Sequence, residues 1–331
     1  MQRPKVIAIV GPTASGKTSL GIFLAQKIKG VGCSGAEIIS ADSRQVYRGL
    51  NVGTGKVTKK EMGGIPHHLL DVCSPKKVYT AGDFKKDGEK ALRDITTKNK
   101  IPIIVGGTGL YIDVLLGRIV LPNVPPNPEL RKKLEKKSTE ILFKMLQKKD
   151  PSRAADIEQK NEQNNKHRLV RALEIAEALG KSPSGFRTDT TGKENHACDV
   201  LWLGINPSKE TLTSNIHARL LARMKAGMVA EAKRLHAPRL HRPADGNGIG
   251  LSYKRMEELG LEYRSLARHL RGDTSHQEML EELERAINRY AKSQGRWFGA
   301  NKEICWLKSA PNTAAGKKEA LRLAAAFLRE V

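Results

Sequence analysis

A chain of 331 residues is long enough for one large core with an appended domain, or for two ordinary domains. Hydrophobic residues make up 39% and aromatics 5%, the balance of a helix-rich α/β protein, and no apolar stretch approaches the ~20 residues of a membrane-spanning helix. Lysine and arginine number 58 against 35 aspartates and glutamates, a net charge of +23 spread along the whole chain, which favours a polyanionic partner because phosphate contacts release counterions.

The chain opens on a short apolar run at residues 6–10, too short for a signal-peptide core and without a small-residue cleavage site after it. A cytoplasmic protein is expected. Cys33, Cys73, Cys198 and Cys305 are far apart and form no CxxC pair, so they read as scattered buried thiols and not as a zinc site or disulfide framework.

Residues 5–10 (KVIAIV) run apolar and β-branched without alternation, which predicts a buried parallel strand, and a helix follows over 19–29. Residues 36–40 (AEIIS) and 101–105 (IPIIV) predict two more strands. Strands separated by helical stretches predict an α/β fold of the P-loop NTPase type, a doubly wound parallel sheet flanked by helices. The prolines at 122, 125, 126 and 128 mark a hinge, after which 129–181 is helical and highly charged. A second break, rich in Ser, Thr, Gly and Pro, covers 181–196. Residues 198–205 (CDVLWLGI) return to a strand, long amphipathic helices follow Ser208, and 303–307 is a final strand candidate. The expected layout is a catalytic core of residues 1–122 and 198–331, split by an all-helical insertion at 123–197.

The strongest chemical signal is Gly11-Pro12-Thr13-Ala14-Ser15-Gly16-Lys17-Thr18, the GxxxxGK[ST] pattern between a strand and a helix. Its glycines let backbone N–H groups fold around phosphate oxygens, and the helix N-terminus adds its positive dipole end. Lys17 supplies a point charge to a terminal phosphate, and the Thr18 hydroxyl is the expected ligand of Mg²⁺. This predicts a bound di- or triphosphate, a nucleotide such as ATP included. No apolar strand ends in the aspartate that completes a hydrolysing site; the third ends in Gly106-Gly107-Thr108. Asp42 follows the second strand directly, where a carboxylate serves equally as a base or as the cap of an Asp-Ser turn. His67 and His68 lack a nearby third ligand and read as structural. Trp202 and Trp306 lie in strand-like runs and read as core, whereas Trp297 beside Gln294-Gly295-Arg296 is more open.

Taken together, the segments resemble the tRNA dimethylallyltransferases, also called tRNA isopentenyltransferases. The resemblance runs in order along nearly the whole chain: GPTASGKT at 11–18, DSRQVYRGLNVGTGK at 42–56, GIPHHLLD at 64–71, YTAGDF at 79–84 and PIIVGGTGLY at 102–111. NKHRLVRALE at 165–174, a basic helix around Arg219 and RYAKSQGRWF at 289–298 complete it.

The resemblance implies transfer of a dimethylallyl group from its diphosphate to N6 of the adenosine 3′ of the anticodon, with the P-loop gripping the isoprenoid diphosphate. It implies that Asp42 is the general base, and that Lys17, Thr18-bound Mg²⁺ and Arg219 stabilise the leaving group. The adenine must flip out of its stack into a pocket. Asp42, Ser43, Arg44, Gln45 and Thr108 are implied near that base, with Lys166, His167, Arg168 and Arg171 on the anticodon arm. Arg168 and Arg171 share a helix face by spacing alone, which a solvated basic face would also explain. A soluble monomer with no membrane contact and no obligate protein partner is expected.

Three departures stand out. The last motif has Lys292-Ser293-Gln294 where many relatives have Lys-Arg-Gln, Asn215 takes the place of an expected arginine, and Gly250-Leu251-Ser252-Tyr253-Lys254 replaces a Gly-Tyr. These are expected to touch RNA contacts more than the phosphate cradle. The lack of a Cys/His tail suggests a catalytic core of bacterial or organellar type. The main rival on fold physics is a small-molecule or nucleoside kinase using ATP, which needs neither the basic charge nor the helical insertion. An RNA-binding nucleotide switch would want an Asn-Lys-x-Asp motif, and Asn99-Lys100 lacks the aspartate.

Overall fold

In the computed structural model, which describes residues 3–28, 32–179, 198–237 and 249–329, the apolar runs become the strands of one parallel sheet. The strands are β1 (Lys5–Val10), β2 (Ala36–Ala41), β3 (His67–His68), β4 (Ile101–Gly106), β5 (Asp199–Gly204) and β6 (Cys305–Trp306), in the order β3-β2-β4-β1-β5-β6. Every pairing is parallel. Alternate residues face opposite layers. Ile7, Ile9, Ile38 and Ile103 pack on one side, with Leu20 and Leu24 of α1 (Lys17–Lys27). Val6, Ala8, Ile39 and Ile104 pack on the other, with Phe84 and Ile95. Both faces are covered, which is why these strands carry no polar alternation.

On this second side lie α3 (Ala81–Thr96) and α4 (Gly109–Leu115), while α2 (Lys59–Met62) is a single capped turn before β3. The chain separates into two compact units, residues 1–116 with 196–331 and residues 117–195. The smaller unit consists, among its described residues, of α5 (Pro128–Leu134), α6 (Thr139–Lys149), α7 (Pro151–Gln159) and α8 (Lys166–Leu179) around Leu142, Leu146, Ile157 and Leu169. Asn127, Ser138 and Asp150 cap the first three of these helices through their side chains. The break expected at 181–196 lies outside the described residues.

The chain re-enters the sheet at β5 and continues through α9 (Lys209–Lys225), α10 (Met228–His236), α11 (Tyr253–Leu259), α12 (Leu261–Arg271), α13 (His276–Gly299) and α14 (Ala314–Arg329). α9 to α13 build a second apolar cluster, in which Leu220, Tyr263 and Leu283 pack with Val46 and Leu50 of the loop after β2. α14 returns to the α1 side of the sheet, where Ala320 and Ala324 are fully buried.

Two expectations about single residues need correction. Trp306 is 39% exposed, unlike Trp202 at 3%. β6 is an outermost strand of two residues, so the Trp306 ring lies against Gly204 on one side and meets solvent elsewhere. Cys305 beside it is exposed for the same reason, Cys198 is buried, and Cys33 and Cys73 are partly so.

Candidate active site

The strand order places the carboxyl ends of β2, β4 and β1 side by side, and the segments leaving those ends line one cavity. Such edges of parallel sheets are where α/β proteins bind ligands. Thr13, Lys17 and Thr18 come from the P-loop, Asp42 and Gln45 from the turn after β2, and Gly106 and Gly107 from the end of β4. Arg219 of α9 and Tyr290 and Gln294 of α13 complete the wall.

The P-loop backbone is built for close approach. Gly11 has φ +146°, and a Cβ there would fall 2.4 Å from the Ile205 carbonyl oxygen. Gly16 precedes α1 in the left-handed region and makes no side-chain cap, so the helix's first N–H groups remain open to an anion. Two of the loop residues serve other bonds. Pro12 has no N–H, its carbonyl accepts from Lys17 Nζ at 2.5 Å, and the Thr13 N–H donates to Gln294 Oε1 at 2.8 Å. The donors for a ligand therefore begin at Ala14.

Two cations converge on this loop. Lys17 is buried, and its pKa is pushed down to about 7 by that burial and by the Arg219 guanidinium, with Asp42 opposing. Arg219 donates to the Thr13 hydroxyl at 3.4 Å and to the Gly55 carbonyl at 3.2 Å. Its own pKa is lowered by burial and by Arg223. Gly55 has φ +59°, and a Cβ there would lie 2.4 Å from Arg219 Nη2, so both conformation and space demand glycine. The loop that carries Gly55 is fixed from behind. The buried Glu231 carboxylate accepts from the N–H groups of Asn51, Val52 and Gly53 and from the Tyr263 hydroxyl.

Asp42 caps its turn and lines the cavity. Its Oδ1 accepts from the N–H groups of Arg44 at 2.8 Å and Gln45 at 3.3 Å. Ser43 N–H donates to the Thr108 hydroxyl at 3.1 Å, so the turn after β2 is pinned to the loop after β4. Tyr290 is half-buried on the same wall, and its pKa is pushed up to about 12 by burial and the nearby Asp42 charge. Thr18 and Asp42 offer hard oxygen donors to the same cavity. Among the described residues no cluster of three His, Cys, Asp or Glu side chains forms a closed metal cage. Hard oxygen donors of this kind suit Mg²⁺.

Other expected site residues lie elsewhere. Lys166, His167, Arg168 and Arg171 are on α8 of the smaller unit. Arg168 pairs with Glu162. Arg171 binds the buried Glu174 and donates to the Val124 carbonyl at 2.9 Å, so its guanidinium already has structural partners. His68 Nε2 bonds Glu37 at 2.7 Å. His67, by contrast, lines the cavity, and its Nδ1 donates to the Ile65 carbonyl at 2.8 Å. Asn215 was expected to bear on RNA, yet its amide donates to the Ala14 carbonyl at 3.2 Å. It stands four residues before Arg219, so both side chains face the P-loop. Tyr290 and Gln294 were within a recognised motif but not among the expected site residues.

A phosphate loop opening on a parallel sheet, a buried lysine and a half-buried arginine over it and a carboxylate across the cavity define a P-loop transferase. The IPP transferase family model matches residues 45–301. The chain is 39% identical over 293 residues to tRNA dimethylallyltransferase 2 of Treponema denticola, covering 88% of this chain and 90% of that protein. Among solved structures it is similar to the full-length tRNA isopentenylpyrophosphate transferase from Bacillus halodurans, at 29% identity and a TM-score of 0.67, over 98% of this chain and 97% of the other. It is also similar to a eukaryotic dimethylallyltransferase acting on tRNA, at 26% identity and a TM-score of 0.71, over 92% of this chain and 73% of the other. The chain belongs to the tRNA dimethylallyltransferase family, whose members are prenyl-transferring enzymes of tRNA modification.

Proposed function

We propose that this chain transfers the dimethylallyl group of dimethylallyl diphosphate to N6 of the adenosine immediately 3′ of the anticodon in tRNA. The observation that carries the reading is that Lys17, Arg219 and Asp42 open on one cavity, the cations over the phosphate loop and the carboxylate at the end of β2. The diphosphate lies against the N–H groups of Ala14 to Thr18, and the allylic carbon points toward Asp42. As its C–O bond breaks, negative charge grows on the leaving diphosphate, where Lys17 and Arg219 neutralise it. The adenosine N6 forms the new bond to that carbon and yields its proton to Asp42. Mg²⁺, which the Thr18 hydroxyl would hold, would supply further neutralising charge to the leaving group.

The nucleotide reaches the cavity by leaving its stack, which costs least in an unpaired loop. Ser43, Arg44, Gln45 and Thr108 surround the base, and Lys166, His167, Arg168 and Arg171 meet the anticodon arm. No helix among the described residues is long and apolar enough to cross a membrane. The reading completes itself with a cytoplasmic monomer that needs no protein partner.

Asp42→Asn tests the assignment, because the amide oxygen still caps the turn while the base is lost. Turnover is expected to fall by ~10²–10⁴-fold with the affinity for inorganic pyrophosphate unchanged. Activity within about twofold of wild type would refute the role of Asp42.

A further inference from the structure

We infer that Gln294 is a positioning residue that couples the donor end of the cavity to its acceptor end. Its amide is 5% exposed in the last third of α13 and is the direct link between the two loops. Oε1 accepts from the Thr13 N–H of the P-loop at 2.8 Å. Nε2 donates to the Gly107 carbonyl at 2.9 Å, one residue before Thr108. Thr108 in turn accepts from the Ser43 N–H, next to Asp42. A single rigid amide therefore joins the loop after β1, which grips phosphate, to the loop after β4, which fixes the turn of the base.

The fit is specific to glutamine. Thr13 offers a donor and Gly107 an acceptor, so only a side chain with one acceptor and one donor satisfies both. A carboxylate keeps the first bond and sets two oxygens against each other at the second. A Cβ on Gly107 would fall 2.1 Å from Nε2, so the missing side chain at 107 is what admits the amide. The loops cannot move independently while both bonds persist. A diphosphate that settles the P-loop then also settles Gly107, Thr108 and the turn of Asp42. This inference rests on the assignment of the phosphate loop to the donor and of the Asp42 side to the nucleoside.

The test is a binding cycle that does not use prenyl transfer as its readout. The affinity of an RNA hairpin with the anticodon-loop sequence is measured with and without inorganic pyrophosphate and Mg²⁺. The affinity of pyrophosphate is then measured with and without the RNA. For wild type both routes give one coupling factor, expected at about 5-fold or more, since coupling is reciprocal. Gln294→Leu should bring it below about twofold while each ligand alone binds within about threefold of wild type, and Gln294→Glu, whose added charge also weakens pyrophosphate, should remove the coupling as well. Gly107→Ala, which leaves Gln294 in place and displaces its amide, should do the same and serves if a Gln294 variant does not fold. In turnover, kcat should drop by ~10–100-fold with smaller changes in KM, the signature of misplacement. A wild-type factor of one, or a factor unchanged in the folded variants, would overturn the inference. Absence of prenyl transfer by the wild type would instead overturn the proposed function and leave the measured coupling to stand or fall by itself.

Discussion

Lys17 lies over the Pro12 carbonyl with its charge opposed by burial and by Arg219, and this makes the cradle sensitive to pH. With a pKa near 7, the ammonium is fully formed below that value and is lost as pH rises through it. A bound diphosphate favours the charged form, so above pH 7 binding must take up a proton. The affinity for inorganic pyrophosphate is therefore expected to weaken by up to about tenfold per pH unit above neutrality. Calorimetry in buffers of different ionisation enthalpy would register proton uptake at pH 8 and little at pH 6. Equal uptake at both would show that Lys17 is not the titrating group. At this scale the sequence was most readable where residues are contiguous. Lys17, Thr18 and Asp42 stand within short motifs, and the cavity contains all three. Gln294 acts on Thr13 across 281 positions, a relation no local pattern encodes. Asn215 is similar: its contact to Ala14 depends on where α9 lies.

Among the elements, the long buried strands were legible because continuous β-branched runs have few other uses. β3 was not, since two residues carry no periodicity, and it exists because His67 and His68 pair with Ile38 and Ile39 of β2. β2 holds an ionic feature there. Glu37 is buried, and Lys100 at 2.7 Å, Lys98 at 3.5 Å and His68 at 2.7 Å surround its carboxylate. Burial alone would raise its pKa, but the hydrogen bonds from Lys100 and His68 outweigh that and hold it at about 2. Glu174 in the smaller unit is likewise held at about 2, its burial outweighed by Arg131, the Asn127 N–H and Arg171. A carboxyl whose folded pKa lies below its unfolded value, ~4.3, stabilises the fold above that value and loses the effect as pH falls toward 2. Acid unfolding is expected to set in within this window. Glu37→Gln should flatten the pH dependence there, and a variant with an undiminished slope would remove Glu37 from the account.

For the whole molecule, the alternation of strands and helices made the sheet legible. The net charge of +23 and the family together make sense of one another, since a tRNA is the polyanion such a surface suits. The charge does not by itself separate prenyl transfer from phosphoryl transfer on the same loop. That distinction rests on which bond of the bound diphosphate compound is broken, C–O or P–O. The most direct measurement incubates the protein with Mg²⁺, dimethylallyl diphosphate labelled in the prenyl group and an unmodified tRNA with adenosines following the anticodon, in the absence of ATP. Acid-precipitable label and released pyrophosphate are counted together. The account predicts both in equal amounts, with the label on the adenosine 3′ of the anticodon. No label in RNA, with phosphorylation of a small molecule when ATP is supplied, would contradict it.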